Sequence, residues 1–151
     1  MFNLKALLLV ALAPVVLGAN FVVQRSPNQL AFNPATVVAD IGDVITFVVV
    51  SRNHSSTTTN FDGDVCPPPA GGVGPNGWDS GFLSDLDGSL PTFNYTVVDT
   101  APHFAACMQA AGAHCHAGMT FALNPTAEQT YQQFLKNAES SPIVTNATVK
   151  T

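Results

Sequence analysis

The run Asp43-Val44-Ile45-Thr46-Phe47-Val48-Val49-Val50 constrains the fold of this chain more than any other feature. β-Branched and aromatic residues fill it, and such side chains suit a pleated strand better than a helix. The turn Ile41-Gly42-Asp43 precedes it, and its apolar character predicts a strand in the middle of a sandwich. Further strands are predicted at Phe21-Val22-Val23, Phe93-Asn94-Tyr95-Thr96-Val97-Val98 and Thr120-Phe121-Ala122-Leu123-Asn124, with extended segments at Leu30 to Pro34 and Thr36 to Val38. Gln24 to Gln29 reads as a turn around Pro27-Asn28. Thr126-Ala127-Glu128-Gln129 resembles a capping box and predicts a helix through about Ala138, with Tyr131, Phe134 and Leu135 on the face that packs. Short strands, turns between them and one late helix predict an all-β, antiparallel Greek-key sandwich with one C-terminal helix.

Composition supports a folded domain. Of 151 residues, 46% are hydrophobic and only 10% charged, too apolar for a disordered chain, and no repeat marks a second domain. Residues 51–92 form a long polar stretch with Ser55-Ser56-Thr57-Thr58-Thr59, Pro67-Pro68-Pro69 and Gly71-Gly72. Loops of that length in compact domains are usually functional or pinned, and Cys66 is a candidate pin. The serine and threonine run is expected to be a solvated or glycosylated loop.

The N-terminus, Met1-Phe2-Asn3-Leu4-Lys5 followed by an apolar run from Ala6 to Leu17 and the small pair Gly18-Ala19, predicts a signal peptide over residues 1–19. It is short for a membrane span. The C-terminal Asn146-Ala147-Thr148-Val149-Lys150-Thr151 lacks an apolar run, so neither a transmembrane nor a lipid anchor is expected. The mature chain is expected to be secreted and monomeric. The acidic balance of the whole sequence, net −5, argues against nucleic acid as a partner, since phosphates demand a basic patch. The sequons at Asn53, Asn94 and Asn146 fit an exported chain and are candidate glycosylation sites.

Three cysteines, Cys66, Cys107 and Cys115, leave an odd thiol in an oxidising compartment once two have paired. A bridge to another chain, a buried inert thiol and a metal-bound thiolate are the open readings. The segment Cys107-Met108-Gln109-Ala110-Ala111-Gly112-Ala113-His114-Cys115-His116-Ala117-Gly118-Met119 packs thiols, imidazoles and thioethers into thirteen residues. It lies between two predicted strands and should form one loop at an end of the sandwich. His54 follows the strongest strand and meets that loop if the strand ends at the same edge. A thiolate, two imidazoles and a weak axial thioether form the ligand set of a blue-copper site, whereas structural zinc more often recruits further Cys or His at short spacing.

The pattern Cys107…His114-Cys115-x-x-Gly118-Met119, with Asn53-His54 upstream, Cys66 between and Trp78-Asp79-Ser80-Gly81-Phe82 in the loop, resembles the secreted plastocyanin-like cupredoxins of fungi, relatives of plant phytocyanins. The likeness spans roughly Phe21 to Pro125. It implies a cupredoxin domain over residues 20–125 followed by a helix over 126–140, and the residues after Ser140 are expected to form a flexible tail over 141–151. It also implies one type 1 copper held by His54, Cys107, His114 and Met119, and a disulfide between Cys66 and Cys115. The step of seven from Cys107 to His114 is wider than the five typical of phytocyanins, and Ala105-Ala106 stands where large aromatics commonly precede the ligand cysteine.

His103 and His116 are then left over and are expected at the surface. Phosphate-loop and nucleophile-elbow motifs are missing from the sequence, and Asp85 and Asp87 lie two apart in a polar loop, so no enzyme is expected. The function implied is single-electron transfer to an unidentified redox protein. The alternatives are a non-redox module contacting a cell-wall component or host surface, and an extracellular copper carrier.

Overall fold

The computed structural model describes residues 18–25 and 30–143. Most of the predicted signal segment, the turn at 26–29 and the tail from residue 144, with its sequon at Asn146, lie outside the described residues.

Two four-stranded sheets face each other. The first is built from β1 (Asn20–Arg25), β2 (Phe32–Asn33), β4 (Val44–Val48) and β8 (Thr92–Thr96), in the order β2-β1-β4-β8. The second is built from β3 (Thr36–Val37), β6 (Thr57–Thr58), β9 (His103–Ala106) and β10 (Thr120–Leu123), in the order β3-β10-β9-β6. A small ribbon pairs β5 (Asn53–His54) with β7 (Leu83–Ser84). Pro34 and Ala35 carry the chain from the first sheet to the second. The apolar run found in the sequence is β4, an inner strand between β1 and β8 as predicted. Its alternating burial sends Ile45 and Phe47 into the core.

The fold is the predicted all-β sandwich with a C-terminal helix, with a correction to the pairing. β1 runs parallel to β4, and β3 runs parallel to β10. Each of these pairs joins strands whose connection leaves the sheet and returns, so parallel neighbours arise without a helical crossover.

The second sheet is covered twice. On its inner side Phe121 and Leu123 of β10 meet Phe32, Ile45 and Phe47 of the first sheet, with Trp78 and Tyr95 beside them. On its outer side Phe104, Ala106 and Ala122 meet Phe134 and Ala138 of helix α2 (Tyr131–Ser140). All four residues of β10 are therefore buried. Burial on both faces also explains why β9 is hard to find in the sequence: His103-Phe104-Ala105-Ala106 shows no alternation, because neither face meets water.

Helix α2 starts at Tyr131, five residues later than the expected 126–140 span. Thr130 is its N-cap, in extended conformation, and its Oγ1 accepts the Gln133 N–H at 3.2 Å. The upstream Thr126 closes a separate turn, accepting the Gln129 N–H at 3.0 Å. Two successive threonines thus offer caps, and the second begins the helix. Among the described residues no helix is long and apolar enough to cross a membrane.

Candidate metal centre

Side-chain parity along β9 and β10 sorts the functional residues. Ala105 and Phe121 point into the sandwich core, and Cys107 and Met119, two residues beyond in each direction of the chain's hairpin, fall on that same side. Cys107 and Met119 are both fully buried, and the Cys107 N–H donates to the Met119 carbonyl at 3.1 Å. Cys66 and Cys115 belong to the opposite, helix-covered cluster and form the disulfide implied by the resemblance. Cys107 is the thiol outside the disulfide, buried at the end of the core.

A four-residue helix, α1 (Ala113–His116), interrupts the connection between β9 and β10. The sequence predicts a plain loop here. Gly112 enters it at φ 90° and Gly118 leaves it at φ 87°, conformations that glycine adopts without steric cost. The Gly118 N–H donates to the Cys115 carbonyl and the Met119 N–H to the His114 carbonyl, both at 2.9 Å. This is the Schellman pairing that ends a helix on glycine. Its effect is to tie His114 and Met119 to one rigid turn. Within α1, His114 and Cys115 are adjacent and so point in different directions, His114 to the core end and Cys115 to the disulfide.

His54 arrives on β5 and is fully buried. Its Nδ1 lies 3.7 Å from Cys107 Sγ, His114 Nδ1 lies 3.6 Å from the same sulfur, and the two imidazole nitrogens are 3.2 Å apart. A point equidistant from these three atoms is about 2 Å from each, close to the roughly 2.0–2.3 Å of nitrogen and sulfur bonds to a first-row metal ion. Two imidazoles and a thiolate converging in this way suit one copper ion. This trio is the one candidate metal cluster of histidine, cysteine or carboxylate groups among the described residues.

Backbone donors support the sulfur. The N–H groups of Ser55 and Gln109 each donate to Cys107 Sγ at 3.5 Å. The Gln109 carbonyl accepts the His114 N–H, and its Oε1 accepts the Asn53 Nδ2–H at 3.4 Å. Asn53, expected to carry a glycan, is thus half-buried with its amide turned toward the ligand loop. Met119, the fourth expected ligand, is fully buried, and its backbone is hydrogen-bonded to those of Cys107 and His114.

Two expectations are corrected here. Residues Ser55 to Thr59 are not a solvated loop; all five are at most 3% exposed. Their hydroxyls find partners across the long polar stretch, which removes the cost of burying them. Ser55 Oγ accepts the Met108 N–H, Ser56 Oγ accepts the Trp78 Nε1–H, Thr57 Oγ1 donates to Asp79, Thr58 Oγ1 accepts the Trp78 N–H, and Thr59 Oγ1 donates to the Val65 carbonyl. The run is a polar clasp that closes residues 71–81 onto the second sheet. Asp79 completes it: burial pushes its carboxyl up, but the Gly71 and Gly81 N–H groups and the Thr57 hydroxyl outweigh this and hold it below the usual range.

The second correction concerns His103, expected at the surface. Its side chain is 10% exposed, its Nε2 bonds Asp99 at 2.9 Å, and its ring lies 5.9 Å from that of Trp78. The Asn76 side-chain amide and His103 together lower the Asp99 carboxyl below its ordinary range. No positional signal in the sequence separated His103 from His116, because its partners lie on other loops.

No protein-family model matches the chain. It is 29% identical over 126 residues to the "Probable GPI-anchored cupredoxin-1" of the fungus Arthroderma benhamiae, an alignment covering 83% of this chain and 61% of that protein. The chain therefore spans about three-fifths of the length of this relative. Among solved structures it is similar to auracyanin B, with 18% identity, 78% of this chain and 93% of that chain covered, and a TM-score of 0.48. A pseudoazurin from Sinorhizobium meliloti is similar at 19% identity, with coverages of 83% and 84% and a TM-score of 0.49. A fern plastocyanin variant is similar at 20% identity, with coverages of 68% and 96% and a TM-score of 0.47. The likeness in sequence is thus to a fungal cupredoxin.

Proposed function

We propose that this chain is an extracellular or cell-surface blue-copper protein that transfers single electrons, in which His54, Cys107, His114 and Met119 would hold one copper ion. The observation that carries the reading is the convergence of His54 Nδ1, Cys107 Sγ and His114 Nδ1 within 3.2–3.7 Å of one another. Copper in such a site alternates between its +1 and +2 states and so accepts or gives up one electron. The protein's part is to hold its donors still through that change.

Rigidity comes from the surroundings. Cys107 is fixed by two backbone N–H donors to its sulfur and by β9, His114 by the Schellman turn and the adjacent disulfide, and His54 by β5. The N–H donors also disperse negative charge on the thiolate. His54 and Cys107 are sealed from water, while His114 is half-buried. His114 is therefore the donor through which an electron reaches a docked partner. With net charge −5, that partner is a redox protein with a basic face. The relative's name favours a cell-surface or extracellular location, and the predicted signal peptide favours export.

The test is the visible and paramagnetic-resonance spectrum of residues 20–151 after addition of Cu(II), beside a Cys107→Ala control. An intense blue thiolate-to-copper band that disappears in the control supports the reading. Copper binding without that band, or no binding while the Cys107 thiol reacts with a thiol reagent, refutes it and leaves a copper carrier or a non-redox module.

A further inference from the structure

The outer face of the first sheet has no covering layer among the described residues. Its rows follow from the strand registers: Val22 on β1, Thr46 on β4 and Asn94 on β8 lie side by side. Val22 is 51% exposed, and Asn94 is exposed. The rows on either side end in Thr92 and Thr96 on β8, both exposed, and carry no charged residue. β8 is an edge strand. An uncharged face ending at an open edge is the kind of surface on which sheets of separate molecules pair. Charge, the usual protection, is missing here.

The sequon Asn94-Tyr95-Thr96 sits in this edge. Alternation along the strand sends Asn94 and Thr96 outward together, while Tyr95 turns in and donates its hydroxyl to the Asn76 carbonyl. The sequon at Asn53 has the opposite setting. Its hydroxyl residue, Ser55, is 2% exposed with Oγ engaged by the Met108 N–H, and Asn53 Nδ2 is bonded to Gln109. A sugar on that nitrogen occupies the space of the Gln109 side chain and keeps the ligand loop from closing.

We infer that the folded protein carries an N-linked glycan on Asn94 and none on Asn53, and that the glycan is the cover of the outer face and edge of the first sheet. In the transfer, Asn94 Nδ2 attacks the anomeric carbon of a lipid-diphosphate-linked oligosaccharide. The C–N bond forms, the C–O bond to the diphosphate breaks, the lipid diphosphate leaves, and one amide proton is released. The inference rests on export of the chain, because that donor is met only on the secretory route.

The test uses the full chain with its own leader, secreted from a eukaryotic host. Peptide mapping after enzymatic deglycosylation in heavy-oxygen water marks each occupied asparagine. The expected result is label at Asn94, none at Asn53 in the copper-binding fraction, and loss of one glycan's mass in Asn94→Gln. Secreted protein with unmodified Asn94, or copper-binding protein labelled at Asn53, overturns the inference while leaving export intact. Retention of the chain in the cytosol with its leader uncut overturns both. Asn94→Gln is also expected to aggregate several-fold faster than the glycosylated protein; equal rates overturn the covering role.

Discussion

Replacing Phe134 by alanine tests whether helix α2 is part of the domain or an appendage. Phe134 is completely buried, with its ring 4.8 Å from that of Phe104 and 6.4 Å from that of Phe61. Its neighbours on the second sheet cannot follow it inward, because Phe104 and Ala122 are fixed by strand pairing. The cavity therefore persists, and the expected loss is about 3–5 kcal/mol. With a urea dependence of about 2 kcal/mol per molar, the midpoint should fall by about 2 M. The assay is urea unfolding followed by fluorescence. The sequence contains one tryptophan, and Trp78 is 4% exposed in the main core, so the signal reports the sandwich rather than the helix. A drop in this signal's midpoint requires that α2 and the sandwich unfold together. A shift below about 0.5 kcal/mol, within the range of ordinary surface substitutions, would refute the three-layer packing. Phe134→Leu keeps most of the volume and should cost about 1–2 kcal/mol, which covers the case in which the alanine variant fails to fold.

Removing the disulfide with Cys66→Ala and Cys115→Ala together should cost about 2–5 kcal/mol, since the bridge closes a separation of 49 residues; it should also weaken Cu(II) binding, measured by competitive titration, because Cys115 adjoins His114. Gly112→Ala should destabilise by about 1–3 kcal/mol in thermal unfolding, because the position has φ 90° and a Cβ there sits 3.0 Å from the Pro67 backbone nitrogen. Asp99, held below its ordinary pKa by Asn76 and His103, contributes stability that is fully present above the unfolded carboxylate value near about 4 and is lost as pH falls through its lower folded value. Urea midpoints measured from pH 6 to pH 2 should therefore drop more in the wild type than in Asp99→Asn; parallel curves would count against the linkage.

The elements legible in the sequence are those whose physics is local. β4 declares itself through a β-branched run, and an inner strand is where such a run is most at home. The helix after residue 125 is visible from the capping-box pattern at Thr126 and its spaced Tyr131, Phe134 and Leu135, although its true cap, Thr130, is not. The chemistry is legible too: a thiol, imidazoles and a thioether compressed into residues 107–119, with His54 upstream, name the donor types before any fold is known.

What the sequence left open depends on residues far apart in the chain. The odd count of three cysteines cannot say which one stands outside a bridge; strand parity puts Cys107 on the core side of the second sheet and Cys115 on the helix side. Ser55 to Thr59 look like solvent-facing residues because hydroxyls prefer water, yet they are buried, since their partners come from residues 65, 73, 78, 79 and 108. β9 is hidden in the sequence for a related reason: a strand covered on both faces loses the period of two. Donor identity is a property of single residues and is written in the chain, whereas the 3.2–3.7 Å convergence of those donors comes from β5, β9 and α1 meeting at one end of the sandwich, which only the long-range pairing decides.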